Sequence, residues 1–335
     1  MPAPTLLDPS RFAGMVANRS TGLYWLENDH GMRVAICNVG GRILQIIVPD
    51  RHGRPGNVAL GYDSLGAILA GSPSLGAFIA PYAGRIADAG FSLDGRHYRL
   101  AANDGPHCLH GGASGSCLRA FEVISHGRSA LALGLLLPAG DTGLAGSLDI
   151  RLDYRLDDDN ALVIEHLASS DGPPTPASFT SHGYFNLDLD ANPTIDTQHL
   201  QVFAGQRLRI SETDTVDGTR ESIAGTGADL REPRLLGEIG RLDHVYDLGE
   251  NLDGGLRLCA RLSAHTSGRI METWSTEPVL VVYSADHLGH PHRPRMGICL
   301  EPQQYPNAPN CPSLPLNLVS AQRPYRAITR YRFLS

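Results

Sequence analysis

Residues 148–166 read LDIRLDYRLDDDNALVIEH, and this stretch decides the fold. Leu148, Ile150, Leu152, Tyr154 and Leu156 alternate with Asp149, Arg151, Asp153 and Arg155. Beyond the polar Asp157–Asn160 segment the apolar residues resume as Ala161, Leu162 and Ile164. A period of two puts one set of side chains on each face of a strand, so the stretch predicts two half-buried antiparallel strands joined by a short loop. The three consecutive aspartates belong to that loop; the twelve-residue ligand pattern of a calcium loop is missing.

The same punctuation recurs along the chain. Arg33–Val48 (RVAICNVGGRILQIIV) predicts two strands around Gly40-Gly41, and Phe91–Leu100 (FSLDGRHYRL) a hairpin turning at Asp94-Gly95. Pro278–Ser284 (PVLVVYS) and Met296–Leu300 (MGICL) are apolar runs suited to buried strands, and Ser64–Ala70 predicts one short helix. Thirty-seven glycines and 23 prolines in 335 residues fit many turns rather than long helices. No linker or internal repeat interrupts this pattern, which predicts an all-β, antiparallel protein of one domain spanning residues 1–335.

Composition excludes several chemistries. The formal net charge of −7 argues against a nucleic-acid partner, which needs a basic face. All 28 basic residues are arginine, so a lysine Schiff base and the P-loop lysine are both ruled out. The N-terminal MPAPTLLDPSRFAGMV carries no cationic region followed by an apolar core, and no apolar run approaches membrane-spanning length. These features predict a soluble cytoplasmic protein with no membrane partner. Cys37, Cys108, Cys117, Cys259, Cys299 and Cys311 show no CxxC spacing and read as reduced, buried, structural thiols.

Four segments carry chemically capable side chains. Residues 81–112 (PYAGRIADAGFSLDGRHYRLAANDGPHCLHGG) place Arg85 and His110 beside glycines. Ala177–Leu187 (ASFTSHGYFNL) holds His182, Leu242–Leu248 (LDHVYDL) holds Asp243, and Gly297–Asn310 (GICLEPQQYPNAPN) holds Glu301. Glu301 follows the apolar Ile298–Leu300, so it reads as a carboxylate at the mouth of a β core, where desolvation raises a pKa and suits proton transfer; the alternative is a solvated strand end. His182 reads either as a proton donor near neutrality or as a histidine satisfied by backbone hydrogen bonds. His107 and His110, and His287, His290 and His292, have ligand-like spacing but no cysteine or carboxylate at zinc spacing, so no metal site is predicted. One histidine acid, one glutamate base, an arginine, a second histidine and an aspartate together suit a hydroxyl-rich ligand, a carbohydrate.

From about residue 20 to the end, the sequence resembles the aldose 1-epimerase (galactose mutarotase) family. The motifs come in the family's order: GRIADAGFSLDGRHYRLAANDGPHCLHGG, TSHGYFNL, LDHVYDL and LEPQQYPNAPN. The resemblance implies a large antiparallel β-supersandwich and interconversion of the α and β anomers of a free monosaccharide. It makes Glu301 the general base and His182 the general acid, with Arg85, His110 and Asp243 holding the sugar. It implies no cofactor and no metal. Two positions depart from the pattern. Gly84 stands where the family commonly has asparagine, and Val281 where it commonly has glutamine; both family side chains would bond the sugar, so the sugar accepted here is expected to differ or be less strictly selected. Two other readings are a non-catalytic sugar-binding protein on the same fold and a glycoside hydrolase; the latter would need a second carboxylate where this chain offers a histidine.

Overall fold

The computed structural model describes residues 4–335 apart from 252. The stretch that decides the fold forms strands Leu148–Leu156 and Ala161–Ser169, paired antiparallel from Asp149↔Ser169 to Leu156↔Leu162. Leu148, Ile150, Leu152, Tyr154 and Leu156 all point into the core, as the alternation requires. These two strands lie within a nine-stranded sheet that runs from Glu122–His126 through Tyr325–Leu334 to Arg234–Leu235. A six-stranded sheet takes the order Tyr184–Phe185, Ile298–Gln303, Val279–Tyr283, Asp243–Asp247, Gln206–Ile210, Val216–Ser222. A four-stranded sheet (Leu23–Glu27, Arg33–Cys37, Arg42–Pro49, Pro55–Asn57) packs against them. The architecture is a large antiparallel β-supersandwich. Its longest α-helix among the described residues is Leu65–Ala70, N-capped by the Ser64 hydroxyl. Among the described residues no helix is long and apolar enough to cross a membrane.

The hairpin predicted around Asp94-Gly95 forms from Gly90–Leu93 and Arg96–Arg99, and the pair around Gly40-Gly41 from Arg33–Cys37 and Arg42–Pro49. One expectation needs correction. Glu301 does not sit where a strand emerges: the strand begins at Ile298 and continues through Glu301 and Pro302 to Gln303. Proline lacks the N–H but holds the extended conformation, so a strand can run through it where that donor is not needed.

The six-stranded sheet is two-faced. Ile298, Leu300, Leu280, Val282 and Tyr246 point into the main core beneath the nine-stranded sheet. Phe185 and Tyr331 meet there at 4.9 Å between ring centroids, and the Tyr331 hydroxyl donates to the Leu300 carbonyl at 3.0 Å. The alternate residues face the other way in two cross-strand rows: Asp243, Tyr283, Cys299, Tyr184, and beside them Val245, Val281, Glu301. This second face is the floor of the site.

His166 is the anomaly of the core. It is fully buried, its ring packs edge-on to Phe78 at 5.2 Å, and neither ring nitrogen has a partner among the described residues. Burial pushes its pKa down from 6.5 to about 3. The unfolded chain therefore takes up a proton below pH 6.5 that the folded protein refuses until about pH 3, so stability falls as pH drops through that window. Each unit contributes up to about 1.4 kcal/mol. In His166→Leu that loss disappears: urea midpoints measured between pH 7 and pH 4 should fall less steeply than wild type, by about one proton's worth of slope. Parallel slopes in the two proteins would contradict this account.

Candidate active site

A cavity of about 780 Å³ opens over the second face of the six-stranded sheet, and Arg85, His110, His182, Asp243 and Glu301 all line it. The four sequence segments, far apart along the chain, thus converge on one space.

Each side chain is delivered by a different device. Arg85 lies on the two-residue strand Arg85–Ile86, which pairs with Cys108–Leu109, next to His110. Gly84 and His110 both adopt left-handed backbone, with φ of +81° and +56°. A side chain at Gly84 would be strained there, and its Cβ would lie 3.0 Å from Pro306. Gly84 contributes through its backbone instead: its N–H donates to His110 Nδ1 at 3.2 Å, and its carbonyl accepts from the His110 N–H at 3.1 Å. A backbone N–H can only donate, so His110 Nδ1 is unprotonated and the neutral ring carries its proton on Nε2.

His182 is fixed by its own backbone, which exchanges hydrogen bonds with Gly76 and Ala77 at 2.9 and 2.8 Å. Behind that segment lies Arg42, fully buried, whose guanidinium donates to the carbonyls of Leu75, Pro73 (2.8 Å) and Cys117 (2.9 Å). Among the described residues, three carbonyls and no carboxylate hold this cation. The His182 ring stacks on Tyr184 (5.0 Å, 13°) and meets His110 edge-on (5.2 Å, 80°).

Glu301 is 2% exposed, and its Oε1 lies 3.7 Å from His182 Nε2. Burial, reinforced by the negative charge of Asp243, raises the Glu301 pKa well above the usual carboxylate value. Burial, reinforced by His110 and Arg42, pushes His182 well below the usual histidine value. The separation is short enough for an ion pair, but desolvation opposes both charges, and we take the resting pair as neutral with its proton on the carboxyl group. The neutral pair and the ion pair differ by one transferred proton. Such a pair can take a proton from one ligand oxygen while giving one to another.

Several contributors escaped the sequence reading. Asp104 accepts from Arg85 Nε at 2.6 Å, which aims the guanidinium, and Arg241 donates to Asp243 at 3.2 Å. Cys299 and Tyr184 stand two residues from Glu301 and from His182, the same-face offset in a strand, so alternation could have found both. The asparagines of LEPQQYPNAPN serve the framework: Asn307 accepts from the Ala87 N–H and donates to the Val216 carbonyl, and Asn310 donates to the Gly90 carbonyl. Val281 sits directly across from Glu301, flanked by Val245, and gives the floor an apolar strip.

All six cysteines are free and buried, as expected. Neither the His107/His110 pair nor His287, His290 and His292 forms a ligand cluster among the described residues. Among the described residues, the one group of three whose potential ligand atoms lie within 4.8 Å of one another is His182, Cys299 and Glu301. There the imidazole spends one nitrogen on each neighbour, Nδ1 towards the Cys299 sulfur and Nε2 towards the carboxylate.

Comparison with known proteins gives a consistent answer. The family model described as aldose 1-epimerase matches residues 22–332. A galactose mutarotase from Bos taurus is 34% identical, covering 92% of this chain and 93% of its own length. An aldose 1-epimerase from Escherichia coli is 28% identical, covering 93% and 95%. Among solved structures, a GalM/aldose epimerase homologue from C. elegans superimposes with a TM-score of 0.88 at 26% identity, covering 94% of this chain and 99% of that one.

Burial and the neighbouring Arg85 charge, in that order, push the His110 pKa down from 6.5 to about 4. In an NMR titration of histidine ring signals, His110 should stay neutral until about pH 4. In Arg85→Gln its midpoint should rise yet stay below 6.5, because burial, the larger cause, remains. A wild-type midpoint near 6.5 would refute this.

Proposed function

This chain belongs to the aldose 1-epimerase family, and from that premise we propose that it is a mutarotase acting on a free monosaccharide, with Glu301 as general base and His182 as general acid. The observation that carries this reading is the buried His182–Glu301 pair at 3.7 Å, surrounded by the hydrogen-bonding groups of Arg85, His110 and Asp243.

Mutarotation suits such a site. With the pair's one proton transferred from Glu301 to His182, the ionised Glu301 takes the proton from the anomeric hydroxyl while the imidazolium of His182 protonates the ring oxygen, and the ring opens to the aldehyde. The C1–C2 bond rotates, and the reversed transfers close the ring on the other carbonyl face. The forward step leaves the proton on Glu301 and His182 neutral, the distribution that burial favours in the empty site. Closure then restores the starting state, and nothing is consumed. Each positioned acid or base contributes on the order of 10²–10⁴ in rate. Arg85, aimed by Asp104, and the Nε2–H of His110 supply fixed donors to ligand oxygens, and Asp243 supplies an acceptor. The apolar strip of Val245 and Val281 offers no hydrogen bond on its side of the ligand. A sugar lacking a hydroxyl there loses nothing, so discrimination at that position is weak.

Polarimetry on freshly dissolved α-anomers of a panel of aldoses and deoxyaldoses tests the reading. Wild type should speed equilibration for at least one sugar, with Glu301→Gln and His182→Gln each slower by about 10²-fold or more in kcat. The kcat/KM profile should be bell-shaped, because activity requires one proton on the pair. Its acid limb should lie below pH 6.5, since His182 is lowered, and its alkaline limb well above pH 4.5, since Glu301 is raised. Saturable binding with no anomeric exchange for any sugar would sink the enzymatic reading in favour of a sugar-binding protein.

A further inference from the structure

One polar side chain on the floor of the cavity has no part in the reaction above. Gln303 lies on the strand Ile298–Gln303, two residues beyond Glu301 and on the same face, and it lines the cavity beside Gly84. It is buried, so its amide is fixed by what surrounds it. Nε2 lies 3.2 Å from the Ala83 carbonyl and 3.3 Å from the Gln304 carbonyl. A carbonyl oxygen only accepts, so the amide nitrogen must face both, and both its hydrogens are spent. Oε1 is what remains for the cavity. It accepts nothing among the described residues, yet it is not sealed in as the unpartnered Thr180 and Ser181 hydroxyls are.

The amide is braced from behind. The Ala83 N–H donates to the Ser178 carbonyl at 2.8 Å, the Ser178 hydroxyl to the Gln304 carbonyl at 3.4 Å, and the Gln304 side chain to the buried Glu277 carboxyl group at 2.5 Å. The two carbonyls that hold Nε2 are thus themselves held, which makes Oε1 a preorganised acceptor. Glycine at 84 keeps the amide uncovered: a Cβ there would lie 3.5 Å from Gln303 Nε2, so any longer side chain would start against it. An acceptor is also what the site is short of. Among the groups holding the sugar, Arg85 and His110 Nε2–H donate, whereas Asp243 alone accepts and already takes a bond from Arg241. A sugar hydroxyl both donates and accepts. The neutral Gln303 oxygen answers that need without a second negative charge to add to the one that Asp243 sets beside Glu301.

We propose that Gln303 is a specificity-determining residue whose Oε1 accepts a hydrogen bond from one non-anomeric hydroxyl of the bound aldose, on the Gly84 side of the site. This rests on the reading of the cavity as a sugar site. Glu301 and His182 attend to the anomeric hydroxyl and the ring oxygen, so the partner of Gln303 is a hydroxyl that does not react. A contact of that kind is made equally in the ground state and the transition state, and it acts through KM rather than kcat. A site built to bond a hydroxyl rejects the analogue that lacks it. Selectivity is therefore divided across the floor: weak beside Val245 and Val281, and imposed by Gln303 beside Gly84.

The test compares wild type with Gln303→Met, which keeps the length of the side chain and removes the amide. The substrates are an aldose that wild type accepts and its monodeoxy analogues, each lacking one hydroxyl. On the parent sugar Gln303→Met should lower kcat/KM by about two- to tenfold, the range of one hydrogen bond of ordinary net strength, with the loss in KM. On the analogue lacking the bonded hydroxyl that loss should disappear, while it persists on the others. A residue that only braced the Ala83–Gly84 segment would act through Arg85 and His110 and cost every sugar alike, in kcat as well as KM; that result overturns the proposal. So does a Gln303→Met protein that handles the parent sugar as wild type does. A crystal structure of wild type with the parent sugar requires no variant to fold: a hydroxyl should lie within about 3.2 Å of Gln303 Oε1, and water alone in that place overturns the proposal. If the protein binds sugars and equilibrates none, Kd across the same panel replaces KM. The stated pattern in Kd then refutes the mutarotase reading and leaves the role of Gln303 intact, and a protein that binds no sugar refutes both.

Discussion

The hydrogen bond from the Tyr331 hydroxyl to the Leu300 carbonyl ties the strand that carries Glu301 to the nine-stranded sheet beneath it. On this strand Ile298 and Leu300 go down into the core while Cys299 and Glu301 go up into the cavity. A slip of one residue would bury Glu301 against Tyr331 and send Leu300 to the ligand. The same choice of faces settles Val281 and Tyr283 on one neighbouring strand, Val245 and Asp243 on the next, and Tyr184 on the other side. The site is therefore one face of a sheet whose other face is core, and its register is held by the full apolar content of that core.

Burial is what makes the proposed acid–base pair reactive. Desolvation acts on both members in the direction that removes charge, raising the pKa of the Glu301 carboxyl group and lowering that of the His182 imidazole, so burial favours the neutral form of each. Arg42 adds a permanent buried cation behind His182, its two terminal nitrogens held by three carbonyls while its Nε has no partner among the described residues. Its fork spans Pro73, Leu75 and Cys117, which a lysine ammonium could not reach together. The segment that exchanges backbone bonds with His182 is thereby fixed from behind.

Much of this was legible in the sequence, for definite physical reasons. The period of two in Leu148–Leu156 gave the inward set residue by residue, and Asp94-Gly95 marked its hairpin through the turn's demand for positive φ. The motif residues were visible as polar groups beside apolar runs. What stayed hidden was non-local. The adjacency of Tyr184–Phe185 to Ile298–Gln303 is a pairing across more than a hundred residues, and only that pairing puts Cys299 against Tyr184 and His182. Glu301 looked like the mouth of the strand because the apolar letters stop at Leu300, whereas the pairing that carries the strand on to Gln303 is made with a segment about twenty residues away. Gly84 looked like a lost contact because a sequence displays side chains; the backbone N–H that orients His110 carries no letter.

The apolar strip of Val245 and Val281 has a consequence for motion as well as recognition. A ring that opens must swing its new aldehyde through half a turn before it can close on the other face, and that sweep needs room and slack. A pocket with a donor or acceptor at every hydroxyl would stabilise the closed ring as firmly as the path away from it and so gain no rate. Here, on the proposed reading, a sugar in the cavity of about 780 Å³ would be gripped on one side by Arg85, His110 and Asp243 and left free beside Glu301, next to Val245 and Val281. Like a door hung on one jamb, the substrate can be held by the part that stays still while the part that must turn meets a surface with nothing to catch it.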